Sequence, residues 1–210
     1  MFTSTGPFTA AHPVILASGS PRRRAFFEQM GIPFEVILPV DAEPSPIEGE
    51  QPEVYLRRAA EAKARAVAAD HKGRLVVAAD TVVALDDMIL GKPASADDAL
   101  SMLRRLAGRT HVVASGCCVV LPEGGRETFH SITRVTMWDC PEEALAAYVA
   151  TGEPSDKAGA YGIQGIGAFL VRSIEGSWTN VVGLPVAELT ALLLRRGAIH
   201  CQLPVEAVHA

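Results

Sequence analysis

Asp80 is a carboxylate in a position that folding does not usually favour, and Thr81 and Lys92 lie near it in the sequence. Asp80 and Thr81 interrupt an apolar run, residues 75–79, that has the composition of a strand buried on both faces. A carboxylate in such a strand is costly unless it is hydrogen-bonded, paired with a cation or bound to a metal. Lys92 follows on a Gly-Lys-Pro turn and brings a cation near. This pattern indicates a functional site. The alternative interpretation is that Asp80 ends a strand and forms a purely structural ion pair.

The segment Ser-Gly-Ser-Pro-Arg-Arg-Arg, residues 18–24, predicts an anion-binding helix start. Ser20 is a common N-cap and Pro21 suits the first helical position, so a helix should begin here and end at Gly31. A strand at residues 14–17 leads into it, and the free backbone N–H groups and the helix dipole then point at one spot. Consecutive helical residues are about 100° apart, so only one or two of the arginines face a ligand. The alternative is a solvated basic turn.

Two further segments offer groups for the same site. Residues 53–69 form a predicted helix whose apolar stripe contains Lys63. This lysine either delivers a cation into a cleft or buries only its stem. Residues 152–167 are rich in glycine, which allows close backbone approach, and they carry Lys157 and Gln164. Cations around a phosphate chain, with a carboxylate that holds Mg²⁺ or activates water, are what hydrolysis of a phosphoanhydride needs.

The elements that must position these groups alternate between strand and helix at both ends of the chain. Between them, residues 110–121 and 128–138 predict an antiparallel pair of strands. The other predicted elements are strands at residues 34–38 and 168–173 and helices at residues 96–106, 142–149 and 185–194. We therefore predict an α/β fold, with a long twisted mixed sheet, flanking helices and two lobes around a cleft. We predict a single domain at residues 13–197, after a disordered leader at residues 1–12 and before a frayed tail at residues 198–210.

The bulk composition excludes several classes of function. The chain has 210 residues, of which 49% are hydrophobic and 20% charged, as in ordinary globular proteins. A net charge of -5 argues against sequence-independent binding to a nucleic acid polymer. The N-terminus lacks the features of a signal peptide and the longest late apolar tract is too short for a bilayer, so we expect a cytoplasmic protein without membrane contact. None of the 4 Cys forms a C-x-x-C pair, so we expect no zinc site.

Taken together and in order, these motifs resemble the Maf family of nucleoside triphosphate pyrophosphatases. The matching segments are Leu-Ala-Ser-Gly-Ser-Pro-Arg-Arg (16–23), Ala-Asp-Thr-Val-Val (79–83), Leu-Gly-Lys-Pro (90–93), Asp-Lys-Ala-Gly-Ala-Tyr-Gly-Ile-Gln-Gly (156–165) and Val-Val-Gly-Leu-Pro (181–185). They span nearly everything from residue 14 to residue 194. The glycine-rich block is similar to that of the branch that acts on dTTP and UTP, rather than the branch described for 7-methyl-GTP.

The resemblance implies roles for particular side chains. Asp80 matches the family's proton acceptor, and Arg23, Thr81 and Gln164 match positions linked to substrate choice. The implied catalytic residues are Asp80, Lys63, Lys92 and Glu43, and the implied substrate-binding residues are Ser18, Arg22, Arg23, Thr81 and Gln164. A divalent cation, Mg²⁺ or Mn²⁺, is expected on Asp80 and Glu43.

The same resemblance implies a fold similar to that of inosine triphosphate pyrophosphatases, and a cytoplasmic homodimer. The expected reaction is hydrolysis of a nucleoside triphosphate, with dTTP and UTP as substrates, to the monophosphate and pyrophosphate. Two alternatives stay open at this point. One is a nucleotide-binding regulator of cell division, or of septum formation, without significant turnover, and the other is a pyrophosphatase for a modified nucleotide.

Overall fold

One long mixed sheet with helices on both faces makes up most of the described chain. The computed structural model describes residues 6–40, 42, 44–45, 47, 49–86 and 88–202. The strands are β1 (Phe8–Ala10), β2 (Val14–Leu16), β3 (Phe34–Val36), β4 (Leu75–Leu85), β5 (Met88–Leu90), β6 (Thr110–Val120), β7 (Arg126–Met137), β8 (Val171–Glu175) and β9 (Ile199–Cys201). The α-helices are α1 (Pro21–Met30), α2 (Pro52–Ala68), α3 (Ala96–Leu106), α4 (Glu142–Ala150), α5 (Trp178–Val182) and α6 (Val186–Arg195). None of these helices has both the length and the apolar character needed to cross a bilayer.

The main sheet has the strand order β3-β2-β4-β6-β7-β8, with the short β5 paired to β4. Strand β2 runs parallel to both β3 and β4. The run β4-β6-β7-β8 is antiparallel throughout, and it includes the predicted pair of strands, β6 and β7. The prediction of an α/β fold with a mixed sheet and flanking helices is therefore confirmed.

Strand β4 is the centre of the sheet, and its alternate residues face different helices. Leu75, Val77 and Ala79 lie in the apolar cluster that contains buried residues of α1 and α6. Val76 and Ala78 lie in the cluster that contains residues of α2. The strand is thus buried on both faces, which is why its sequence is a continuous apolar run and not an alternating one.

Helix α2 lies unusually close to the sheet because β6 has a glycine beneath it. A Cβ on Gly116 would lie 2.5 Å from the carbonyl oxygen of Leu56, in the first half of α2. Gly116 is directly opposite Asp80 in the β4–β6 register. The glycine therefore sets the distance between α2 and the sheet at the position where the predicted catalytic acid stands.

Two strands extend beyond, or are shifted from, the segments that the sequence indicates. Asp80 and Thr81 interrupt the apolar run of residues 75–79, yet β4 continues to Leu85 because β6 pairs with it without a break from Val76 to Ala84. The strand expected at residues 168–173 is displaced: a 3₁₀ segment occupies Gly165–Leu170, and β8 begins only at Val171. In both places pairing with a neighbouring strand, and not local composition, determines where the strand lies.

Parts of the predicted leader and tail form a strand pair of their own. Strands β1 and β9 are antiparallel, with Phe8 opposite Cys201 and Ala10 opposite Ile199. Phe8 and Ala10 also pack against the apolar cluster of α1 and α6. This differs from the disordered leader and frayed tail that the composition predicts, because burial of these side chains against the core stabilises both segments. Residues 1–5 and 203–210 lie outside the described chain.

Candidate active site

The floor of a large cleft is the middle of β4, where one edge of the strand is uncovered. On that edge, β4 pairs with β2 through residues 75–77 and with β5 through residues 83–85. Between these two stretches, no strand of the described chain pairs with this edge. A cavity of about 870 Å³ lies there, lined by every residue of β4 from Ala79 to Val83. Asp80 and Thr81 therefore stand at the exposed edge of an otherwise buried strand.

Asp80 faces helix α2 and is paired with a lysine. Its Oδ1 lies 2.7 Å from Nζ of Lys63, and each side chain is only 12% exposed. The close approach of α2 over Gly116 carries the lysine to this position. Of the two predictions for Lys63, the structure agrees with a cation delivered into the cleft. Removing either charge would leave the other one largely buried without its partner, so the pair is a unit.

Thr81 faces the other side of the sheet, where Arg23 of α1 connects three parts of the chain. The guanidinium donates to Ser18 Oγ at 3.1 Å, to Thr81 Oγ1 at 3.1 Å and to the carbonyl oxygen of Gly183 at 2.8 Å. These contacts join the turn before α1, the centre of β4 and the loop before α6. Arg23 thereby fixes the relative positions of three cleft walls.

The start of α1 has the predicted capping geometry. The Ser20 side chain accepts from the Arg23 backbone N–H, and Gly31 closes the helix with a φ of 74°. Ser18 Oγ accepts hydrogen bonds from the Ser20 backbone N–H at 3.3 Å and from Arg23. Within the described chain, the O–H of Ser18 then remains available to donate a hydrogen bond, and a phosphate oxygen can accept it. Arg22 lies at the mouth of the cleft, 3.4 Å from Asp156 Oδ2.

One carboxylate that sequence reasoning missed organises the glycine-rich segment. Glu153 accepts hydrogen bonds from the backbone N–H groups of Ile166 and Gly167, both at 2.9 Å, and from the Tyr148 hydroxyl at 3.0 Å. Burial acts to raise the pKa of Glu153, but the N–H donors of Gly167 and Ile166 bring it below its ordinary value. Gln164 lies just before these two donors, so the carboxylate holds the turn that presents Gln164. An acid at the head of a glycine-rich block is the signal that could have identified it.

Lys157 in the same segment also bonds to the protein. Its Nζ donates to Asp156 Oδ1 at 2.6 Å and to the carbonyl oxygen of Glu153 at 2.7 Å. The hydrogen bond from Lys157, together with the positive charge of Arg22, lowers the pKa of Asp156 although partial burial acts to raise it. Asp156 therefore links the start of α1 to the glycine-rich segment across the mouth of the cleft.

A buried histidine stands behind the cleft wall. His111 Nε2 lies 2.7 Å from the hydroxyl of Tyr161, a residue that lines the cavity. Burial lowers the pKa of His111 to about 4 and raises that of Tyr161. Both side chains are thus neutral near pH 7. Tyr161 lies in the glycine-rich block already noted in the sequence, but His111 was not singled out, because its contact with Tyr161 joins β6 to a distant turn.

The cavity brings together eight of the nine predicted site residues. They are Ser18, Arg22, Arg23, Lys63, Asp80, Thr81, Lys92 and Gln164. Lys92 is held on its turn by a hydrogen bond from the Gly159 backbone N–H to the carbonyl oxygen of Gly91, at 3.0 Å. Glu43 lies outside the described residues, so its predicted part in catalysis and metal binding stays a prediction.

For a divalent cation, the carboxylates among the described cavity residues are Asp80 on the floor and Asp156 at the mouth, and Asp156 is already paired with Lys157 and Arg22. They contain no group of three or more His, Cys, Asp or Glu side chains that could form a complete protein cage. Mg²⁺ in phosphate-transfer sites is commonly held by one or two carboxylates together with phosphate oxygens of the substrate. Asp80, on the floor of a cavity that Arg22, Lys63 and Lys92 also line, fits that kind of shared site.

Comparisons with known proteins agree with the sequence motifs. The model of the family described as Maf-like protein matches residues 13–196. A protein of Oleidesulfovibrio alaskensis named dTTP/UTP pyrophosphatase is 58% identical over 92% of this chain and 90% of its own length. A protein of Lawsonia intracellularis with the same name is 45% identical over 91% of this chain and 87% of its own length. Among solved structures, a nucleoside-triphosphatase, or dITP/XTP pyrophosphatase, from Mycobacterium abscessus is 18% identical with a TM-score of 0.42, over 87% of this chain and 93% of that one.

Proposed function

The chain belongs to the Maf family, and from this premise we propose that it hydrolyses dTTP and UTP to the nucleoside monophosphate and pyrophosphate. The observation that carries the proposal is the Lys63–Asp80 pair on the floor of a cleft lined by further cations. The name shared by the two relatives supports the substrates. No comparison favours either a regulator without turnover or a pyrophosphatase for a modified nucleotide.

In this proposal, the cations of the cleft bind the triphosphate. Arg22 of α1, Lys63 of α2 and Lys92 of the turn after β5 line different parts of the cavity, so together they can contact several phosphates of the chain. The hydroxyl of Ser18 donates to a phosphate oxygen. Positive groups held in place before the reaction stabilise the charge that develops on the leaving pyrophosphate.

Asp80 takes the proton from the attacking water. The water adds to the α-phosphorus, the α–β phosphoanhydride bond breaks, and the bonding electrons leave with pyrophosphate. Asp80 is placed for this task because it lines the cleft floor, and Lys63 pairs with it in a mostly buried position where an unpaired carboxylate would be costly. Arg23, Thr81 and Gln164 are proposed to select the base.

A divalent cation, Mg²⁺ or Mn²⁺, is part of the proposal. When bound, such a cation would neutralise phosphate charge and lower the barrier to attack at phosphorus. Asp80 would hold it together with phosphate oxygens of the substrate, and Glu43 is the second proposed protein ligand. The position of Lys63 next to Asp80 then helps to determine which carboxylate oxygen is available to the cation.

Release of pyrophosphate from a panel of triphosphates tests the function. The purified protein is incubated with dTTP, UTP, CTP, the purine triphosphates and modified triphosphates, each with Mg²⁺, with Mn²⁺ and with a chelator. We expect release of pyrophosphate from dTTP and UTP, and no release when the chelator is present. Orthophosphate in place of pyrophosphate, or no turnover of any triphosphate, would contradict the proposal, and preference for a modified base would replace its substrates.

Two finer predictions accompany this function. We propose that the enzyme is a homodimer and that it acts in the cytoplasm, and both rest on the family to which it belongs. Sedimentation of the purified protein with and without a nucleotide measures its mass in solution and tests the first. Fractionation of the source cells tests the second.

A further inference from the structure

A chain of hydrogen bonds leads from Thr81 in the cleft to the fully buried interior behind it. The Thr81 Oγ1 and Ser115 Oγ atoms are 2.8 Å apart, across the β4–β6 pair in which the two residues are directly opposite. Ser115 Oγ then donates to the carbonyl oxygen of Asn180 at 3.1 Å. Both Ser115 and Asn180 are 0% exposed, so no solvent competes for these bonds.

The directions of these bonds determine what Thr81 can offer to a ligand. A hydroxyl has one proton to donate and two lone pairs with which to accept. The single proton of Ser115 goes to Asn180, so Ser115 must accept the proton of Thr81. Arg23 donates into one lone pair of Thr81 Oγ1 at 3.1 Å. Within the described chain, the capacity left on Thr81 is one lone pair, that is, an acceptor.

A second acceptor for the Thr81 proton leads to the same conclusion. The carbonyl oxygen of Gly183 lies 3.4 Å from Thr81 Oγ1, a long contact in which Thr81 again would be the donor. Ser115 Oγ and the Gly183 carbonyl oxygen are thus the two protein acceptors for the Thr81 proton, and both draw it away from the cleft.

We propose that Ser115 is a positioning residue that fixes Thr81 as a hydrogen-bond acceptor, so that the cleft selects a pyrimidine with an N–H at ring position 3. Uracil and thymine carry that N–H. Cytosine carries a lone pair at the same ring position, and two lone pairs facing each other form no hydrogen bond. This inference rests on the proposed function, and it supplies a physical reason why both a ribo- and a deoxyribonucleotide with this ring edge would be accepted.

The test compares base preference in binding, which does not depend on turnover. The dissociation constants of the α,β-methylene analogues of UTP and CTP are measured for the wild type and for Ser115→Ala. In the variant the Thr81 proton keeps only the long 3.4 Å contact with the Gly183 carbonyl oxygen, so it can turn toward cytosine. The preference for the uracil analogue should therefore fall about threefold to tenfold, mainly because the cytosine analogue binds more tightly. Ser131→Ala is the matched control, since Ser131 pairs with Ser115 across β6 and β7 but bonds to Glu188 outside the cleft.

A second variant covers the case in which Ser115→Ala unfolds, as thermal unfolding would report. Thr81→Val keeps the shape of the side chain and removes its lone pairs, so binding of the uracil analogue should weaken about tenfold while that of the cytosine analogue does not. Equal losses for both bases, or an unchanged preference in folded Ser115→Ala, would overturn the inference. Failure of the wild type to release pyrophosphate would instead refute the proposed function, since the binding preference is measured separately.

Discussion

The pair of Asp80 and Lys63 allows the sharpest test of the proposed chemistry, by a double-mutant cycle. The variants are Asp80→Asn, Lys63→Met and the two together. Asparagine keeps an oxygen that can accept from Lys63 Nζ, at the 2.7 Å now seen, but it loses the charge and the basicity. Methionine keeps most of the length of the lysine stem and loses the cation. The assay is release of pyrophosphate from UTP at saturating substrate.

The expected magnitudes follow from the position of the pair. Loss of a positioned general base lowers turnover by a factor on the order of 10² to 10⁴, so Asp80→Asn should fall in this range. Lys63→Met should lower it by about 10² to 10³, as for a removed electrostatic stabiliser. Because the two side chains contact each other and are both largely buried, their effects should not multiply. The double variant should be about as slow as Asp80→Asn alone.

A more exposed ion pair of the same length outside the cleft controls for the loss of a charge as such. Arg74 and Glu35 are also 2.7 Å apart, and neither lines the cavity. Glu35→Gln should therefore leave turnover unchanged. Normal turnover in Asp80→Asn would remove this residue from the mechanism. Full multiplication of the two single effects would show that Lys63 and Asp80 act independently, and the pair would then not be the catalytic unit.

Three other predictions follow from buried contacts around the cleft. Gly116→Ala should lower turnover, and it should lower the free energy of unfolding in urea by about 1–3 kcal/mol, because the new Cβ would meet the Leu56 carbonyl. Gly125→Ala, whose Cβ would have its nearest neighbour at 3.7 Å, should change neither. Because burial lowers the pKa of His111, the histidine is protonated more readily in the unfolded chain, and the free energy of unfolding should fall by up to about 3 kcal/mol as the pH drops from about 6.5 toward 4. Unfolding experiments from pH 7.5 to 4.5 measure this slope, and His111→Phe should remove it. Glu153→Gln, which leaves one backbone N–H of the glycine-rich turn facing an amide N–H₂, should weaken UTP binding several-fold, on the order of 1 kcal/mol, in a titration with its α,β-methylene analogue.

The sequence predicted the elements whose signals are local. The start of α1 at Ser20 and its end at Gly31 were predicted from capping and glycine chemistry, and both are confirmed. The continuation of β4 beyond Asp80 to Leu85 could not be predicted, because nothing local shows that β6 continues to pair there. The pair of β1 and β9 was missed for the same reason, since it joins the two ends of the chain. Pairing between segments that are distant in the sequence cannot be predicted from local signals.

The same distinction separates the predicted site residues from those that were missed. Asp80 and Lys63 were found because a charge in an apolar pattern is visible in the sequence alone. Ser115 and His111 are polar residues in an ordinary strand, and their partners can be known only from the register of β4 and β6 and from the position of the Tyr161 turn. The role of a polar residue in a strand can be inferred only when its cross-strand neighbour is known.

The register of β4 and β6 also explains how the two proposed tasks, proton transfer and base selection, fit on adjacent residues. Asp80 and Thr81 point to opposite faces of the sheet, because side chains alternate along a strand. On β6, Gly116 admits α2 and its lysine behind Asp80, and Ser115 orients the hydroxyl of Thr81. Each task thus has its own support on the neighbouring strand, and a change on one face leaves the contacts of the other intact. Turnover and base preference should therefore separate, with Gly116→Ala acting on the first and Ser115→Ala on the second.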